Sequence, residues 1–203
     1  MSQHDAPLQA LLLPFASGVL PWPAQGAIAF LGARAGGPLS GSPLHRLRCE
    51  QDFKPLVDGL RQAALAVQAE GEPVAEATLV LVLPPRQREQ ARALLARAVE
   101  RAAPGARVVA AVANDEGARS HEKDLRQLAG LGGSLAKFHC RVFWTPPLQG
   151  AHDAALLAHW RQADAPRPIL AGRSRTRPAV SPWARTAPAR GRRAPRCRPD
   201  RPG

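Results

Sequence analysis

Two short apolar runs, Thr78 to Leu83 (TLVLVL) and Arg107 to Ala113 (RVVAAVA), bracket a stretch whose apolar residues recur every three to four positions. A run of that length, rich in β-formers and free of polar alternation, suits a strand covered on both faces, as in a parallel sheet. The stretch between them supplies the crossover. Pro84-Pro85 ends the first strand. Ala91, Leu94, Leu95, Ala98, Val99 and Ala102 then line one side of a helix that Arg88, Glu89, Arg92 and Glu100 avoid. Pro104-Gly105 is read as its stop. Strand, helix and parallel strand form a right-handed βαβ unit, which confines the chain to α/β architectures.

The flanking sequence extends the alternation. Ala27 to Leu31 (AIAFL) reads as a short buried strand running into the turn Gly32-Ala33-Arg34-Ala35-Gly36-Gly37. Asp52 is placed to cap a helix carrying Phe53, Leu56, Val57, Leu60, Ala64 and Val67 at helical spacing. Ser120 to Leu128 predicts a shorter helix, and Asp153 to Trp160 a last one. Leu135 to Trp144 alternates, with Ala136, Phe138, Cys140, Val142 and Trp144 opposite Lys137, His139 and Arg141, as in a single strand with one wetter face. The expected fold is α/β and Rossmann-like, with a mostly parallel sheet.

Charge divides the 203 residues. Residues 171–203 hold ten arginines against the single acid Asp200, so this segment carries +9 of the formal +12. It has no hydrophobic period and consists mostly of Arg, Pro, Ala, Gly, Ser and Thr, a composition that cannot offset the entropy of ordering. The expectation is a domain over residues 1–170 and a disordered basic tail over 171–203. The high pI then belongs to the tail, and whole-chain charge says little about the domain.

Several classes are set aside. Cys49, Cys140 and Cys197 are odd in number and far apart, with no Cys-x-x-Cys pair, so neither a disulfide framework nor a zinc site is expected. His152 and His159 lack the spacing to grip one metal from a helix face. The apolar stretch Leu8 to Leu20 has no Lys or Arg before it, carries Asp5 where positive charge belongs, and is broken by Pro14. It is too short to span a bilayer and lacks a signal peptide's basic start, so a cytoplasmic chain without a membrane partner is expected.

In a doubly wound sheet, ligand chemistry lies at the carboxyl ends of the strands. The Gly32 to Gly37 turn is not G-x-G-x-x-G, and no acid is seen closing the next strand to hold a ribose hydroxyl. No G-K-[S/T] or G-x-S-x-G occurs. Leu83-Pro84-Pro85-Arg86 is sharper, since it resembles the [N/D]-P-P-[F/Y] loop of methyltransferases acting on amino groups. There the Asn or Asp and the next carbonyl accept from the target amine, and the aromatic stacks on it. Leu83 offers no acceptor and Arg86 no ring. Asp115-Glu116 reads as solvated loop, and no nucleophile and base pair up, so no catalytic residue is assigned. Arg86, Arg88 and Arg92, with Arg119, Lys123 and Arg126, begin helices at one end of the sheet. Of these, Arg86, Arg88, Arg92, Arg119 and Lys123 are the candidate RNA phosphate contacts, although such faces are commonly just solvated.

From Leu79 to Trp144 the features run in a specific order. A strand, the proline loop, an amphipathic helix, Pro104-Gly105 and a strand reaching Asn114 lead to Gly117-Ala118-Arg119-Ser120-His121-Glu122 and then Phe138-His139-Cys140-Arg141-Val142-Phe143. This resembles the N-terminal domain of the small-subunit ribosomal RNA guanine-N2 methyltransferases, class I S-adenosylmethionine (SAM) enzymes built as a duplicated methyltransferase fold. In their first copy, Asn…Gly-x-Arg-Ser-x-Glu and an Arg/His-Cys-Arg/Gly strand recur. The resemblance covers residues 8–170 and is strongest over 79–144.

The resemblance implies a first copy that has lost cofactor binding and supports RNA docking and folding of a second copy, which holds SAM. No cofactor is then expected on this chain, and ribosomal RNA or the small subunit is the implied partner. The sequence ends before such a second copy. The Arg/Pro/Ala composition from Arg173 onward is what a GC-rich gene read out of frame would yield, so a truncated or frameshifted family member is expected. Two alternatives stay open: a minimal SAM-dependent methyltransferase using the Gly32 to Gly37 turn, and a nucleic-acid-binding protein working through its basic tail.

Overall fold

The computed structural model describes residues 5–68, 76–150 and 153–162, all within the unit Met1–Pro166. The tail expected at 171–203 lies outside them.

Helix α1 (Ala6–Ala16) forms where the sequence offered only a broken apolar stretch. Asp5 starts it by accepting from the Leu8 N–H at 3.2 Å, and Pro7 sits in the first turn, where a missing N–H costs nothing. Pro14 removes one hydrogen bond from the last turn. Burial of Leu8, Ala10, Leu11, Leu12 and Phe15 outweighs that loss, at about 1.5–3 kcal/mol for each large side chain.

Among the described residues the sheet has six strands: β1 (Ile28–Leu31), β2 (Leu47–Glu50), β3 (Ala77–Val82), β4 (Ala102–Ala113), β5 (Gly133–Lys137) and β6 (Cys140–Trp144). Their order is β2-β1-β3-β4-β6-β5. The first four run parallel, and β6 lies antiparallel between β4 and β5. The remaining helices are α2 (Lys54–Gln62), α3 (Arg88–Arg101), α4 (Ala118–Ala129) and α5 (Ala154–Gln162).

Alternate strand residues feed two cores. Ile28, Phe30, Leu79, Leu81, Val109 and Ala111 pack with α1 and with Leu60 of α2. Ala29, Leu31, Val80, Val82, Val108 and Ala110 pack with α3, α4 and α5 on the other side. Helices on both faces explain why the central strands are apolar without alternation.

Four boundaries differ from the sequence reading. Leu135 to Trp144 is a hairpin: Lys137 pairs with Cys140 across a two-residue turn in which Phe138 and His139 both have positive φ (57° and 55°). That is the type I′ geometry usually supplied by Asn-Gly, and neither residue announces it. The four-residue strand β2, LRCE, was missed because two of its residues are charged. Helix α2 starts from Phe53 rather than Asp52 and ends at Gln62, while Val67 instead bridges to Cys49. Lastly, α3 passes into β4 at Ala102 without a loop, and Pro104-Gly105 sits in an irregular part of β4, where the pairing shifts between Ala77 and Leu79.

Candidate functional site

The carboxyl ends of β1 to β4 carry four loops. β1 runs on to Gly32, whose φ is +65° and where a Cβ would collide with the Leu83 carbonyl. Glycine is therefore required at this close approach. The proline loop continues the ladder, since the Leu83 N–H donates to the Leu31 carbonyl at 3.0 Å. The Leu83 side chain is 3% exposed and packs in the α1-side core. The position that would need an amine acceptor is thus a core residue. Pro84 is buried as well, and Arg86 is exposed.

Strand β2 closes on Glu50, which corrects the expectation that no acid ends the strand beside β1. Glu50 is nonetheless engaged, by Arg101 at the end of α3. Beyond it, Gln51 ties the loops together: its Nε2 donates to the Ala33 carbonyl at 2.9 Å and its Oε1 accepts from the Phe53 N–H at 3.1 Å. Asp52, exposed, follows. A crevice of about 340 Å³ lies here, walled by Gly32, Arg34, Asp52, Leu56, Leu83 and Arg97, among others. Arg34 also reaches across to Asp5 at 3.4 Å. A larger hollow of about 630 Å³ lies between α1 and residues 35–38, with Phe138 on its wall; its one charged wall residue among those described, Asp5, is the partner of Arg34.

The five candidate RNA contacts separate into three places. Arg86 stands alone on the proline loop. Arg88 and Arg92, one turn apart on α3, each present a fork to Asp124 of α4, with Nε to Oδ2 at 3.1 Å and Nη2 to Oδ1 at 3.0 Å. Burial alone would raise the Asp124 pKa, but the hydrogen bonds from both guanidinium groups outweigh it and hold the carboxyl below its usual range. Arg92 also stacks over Trp160 of α5 at 4.9 Å. These two arginines join α3, α4 and α5.

Arg119 and Lys123 are exposed on α4 and share an open groove of about 600 Å³ with Arg126, Gln127 and Arg141. Glu122, 8% exposed, accepts from Arg126 and Arg141 at 2.8 Å each. The groove therefore has four cations around one buried carboxylate. The sequence reading missed Arg141, although the period-two pattern had placed it on a wetter face.

Burial pushes the Cys49 thiol up to about 12 and raises that of Cys140. Among the described residues no group of three His, Cys, Asp or Glu could hold a metal ion, and no helix is long and apolar enough to cross a membrane.

No protein-family model and no curated protein matches the chain. Solved structures do match. A T. thermophilus 16S rRNA N2 G1207 methyltransferase, in complex with AdoMet and guanosine, superposes at a TM-score of 0.58 and 18% identity, over 72% of this chain. The chain spans only 40% of that protein's length. An N-methyltransferase from Bradyrhizobium japonicum superposes at 0.50 and 18% identity, over 70% of this chain and 94% of that one. A SAM-dependent methyltransferase from Corynebacterium glutamicum gives 0.50 and 14%, over 70% and 89%. The fold is that of the Rossmann-like methyltransferases, with β6 inserted antiparallel at one side.

Proposed function

We propose that this chain corresponds to the first, non-catalytic copy of the duplicated ribosomal RNA guanine-N2 methyltransferases, a cytoplasmic domain that docks RNA and supports a catalytic copy without transferring a methyl group. Residues 1–170 form that domain, and 171–203 are a basic extension of it. The observation that carries the proposal is the proline loop, in which Leu83 is spent on the core and Arg86 stands where a ring would hold the base. A base-methylating site must orient the amine through an acceptor and fix the base by stacking. Leu83 supplies no side-chain acceptor and Arg86 no ring, which supports this reading.

The pairing of Glu50, the acid at the end of β2, with Arg101 also supports a chain that does not hold SAM. RNA docking rests on Arg86, on the exposed part of Arg88 and above all on Arg119 and Lys123, whose groove also holds Arg126 and Arg141. Arg92 is committed to Asp124 and Trp160 and contributes indirectly.

A second reading, a minimal SAM-dependent enzyme, draws on one observation: β2 does close on an acid. Methyl transfer from labelled SAM decides between the two.

The docking half is tested by titrating ribosomal RNA against the full chain over a salt series. Arg119→Glu with Lys123→Glu should weaken binding about tenfold or more and flatten the salt slope by about two phosphate contacts. Deleting residues 171–203 is the matching arm. If deletion abolishes binding while the charge reversals change nothing, the tail is the functional part and the groove is solvated surface.

A further inference from the structure

We infer that the groove between α4 and β6 docks the backbone of double-stranded RNA in preference to a single strand, with Glu122 as the residue that positions its arginines; this rests on the RNA-docking reading above. Among the described residues every wall side chain is polar: Arg119, Glu122, Lys123, Arg126 and Gln127 come from α4, and Arg141 from β6. Proteins that hold single strands add aromatic side chains on which unpaired bases stack. Among the described residues this groove has none. It offers positive charge and hydrogen-bond donors, the chemistry that meets phosphates and 2′-hydroxyls along an RNA duplex.

The cations are of two kinds. Arg119 and Lys123 are exposed and have no ion-pair partner among the described residues. With Arg126 they form one row on α4, in which Lys123 and Arg126 lie about 6 and about 10.5 Å from Arg119 along the helix axis, long enough to meet more than one phosphate. Arg126 and Arg141 are held in place. Oε1 of Glu122 accepts from Nη2 of Arg126, and Oε2 from Nη1 of Arg141, both at 2.8 Å. Each guanidinium gives the carboxylate one nitrogen and stays partly exposed, while Glu122 lies buried beneath the pair it fixes. A guanidinium fork already held at a set place loses less freedom when it meets a phosphate. The regular backbone of a helix gains from such fixed forks. A flexible strand follows mobile cations equally well and gains little.

Fluorescence anisotropy of the full chain tests this, near about 0.15 M ionic strength, with a labelled RNA duplex of about 16 base pairs and an unpaired polyuridine strand carrying the same number of phosphates. The basic segment 171–203 is the same in every variant, so the ratio between the two RNAs reports the groove. The parent should bind the duplex about tenfold tighter. Arg119→Gln with Lys123→Gln should remove most of that preference. Glu122→Gln separates positioning from charge. It removes a negative charge, so charge alone would tighten both RNAs, whereas lost positioning weakens the duplex about threefold or more and leaves the single strand no weaker. Unchanged near-ultraviolet circular dichroism would show each variant folded. Should Glu122→Gln fail to fold, Arg126→Lys makes the same distinction at an exposed position, because it keeps the charge and loses the fork: the duplex should weaken and the single strand stay unchanged. Equal binding of the two RNAs by the parent, a duplex that Glu122→Gln tightens, or one indifferent to Arg126→Lys overturns the inference. If Arg119→Gln with Lys123→Gln then weakens both RNAs alike, RNA docking at the groove stands; if it changes neither, that reading falls as well.

Discussion

Asp124 is a carboxylate removed from water between two guanidinium forks, its side chain 2% exposed against 52% for Arg88 and 30% for Arg92. Removing a buried partner leaves the others unsatisfied, which costs about 3–5 kcal/mol when all are buried. Here the arginines can rehydrate, so Asp124→Ala should destabilise by roughly 1–3 kcal/mol in a urea titration. The pH dependence has a definite sign. The folded pKa is depressed, so the unfolded chain takes up the proton first. The pair's contribution is complete above the ordinary aspartate value of about 3.9 and is lost as pH falls through the folded value. The stability curves of the parent and Asp124→Asn should therefore be apart at neutral pH and converge below about pH 4; a constant separation would deny the pairing. Sequence alone showed Arg88 and Arg92 as solvent-facing charges at a helix start. Their partner lies 36 and 32 positions away respectively, on another helix, and no local spacing could reveal it.

At the scale of elements, what was legible is what periodicity records. The runs in β3 and β4 and the apolar stripe of α3 were readable because each is long enough to show its own period. Strand β2 is four residues long and alternates charge with burial, so it exists through its pairing with β1 rather than through its composition. The β5–β6 hairpin was hidden for a different reason, since its turn uses Phe138 and His139 where glycine or asparagine is usual. A side chain at positive φ costs about 1 kcal/mol or more, which the sheet pairing overrides. His139 is exposed, and its carbonyl, which accepts from the Asn114 N–H at 2.9 Å, survives substitution. His139→Gly should thus raise stability by roughly 0.5–1 kcal/mol, part of the relief being returned to the looser unfolded chain. A loss of stability would mean that the turn is not strained.

At the scale of the molecule, the chain has the fold of the Rossmann-like methyltransferases, and Leu83 of the proline loop is part of its core. The residue types Leu83 and Arg86 were legible in the sequence, but the packing of Leu83 was not. Only the packed structure shows the Leu83 side chain among α1-side core residues and Gly32 pressed against its carbonyl. The basic groove was half legible, because Arg119 and Lys123 lie one turn apart on α4, whereas Arg141 arrives from β6 by sheet topology. The measurement that tests the account most directly is methyl incorporation from labelled SAM into ribosomal RNA and small-subunit particles by the purified chain. Incorporation should be indistinguishable from a no-enzyme control. Incorporation above that control, abolished by Leu83→Ala or Arg86→Ala in variants that remain folded, would contradict it and make the proline loop a working active site.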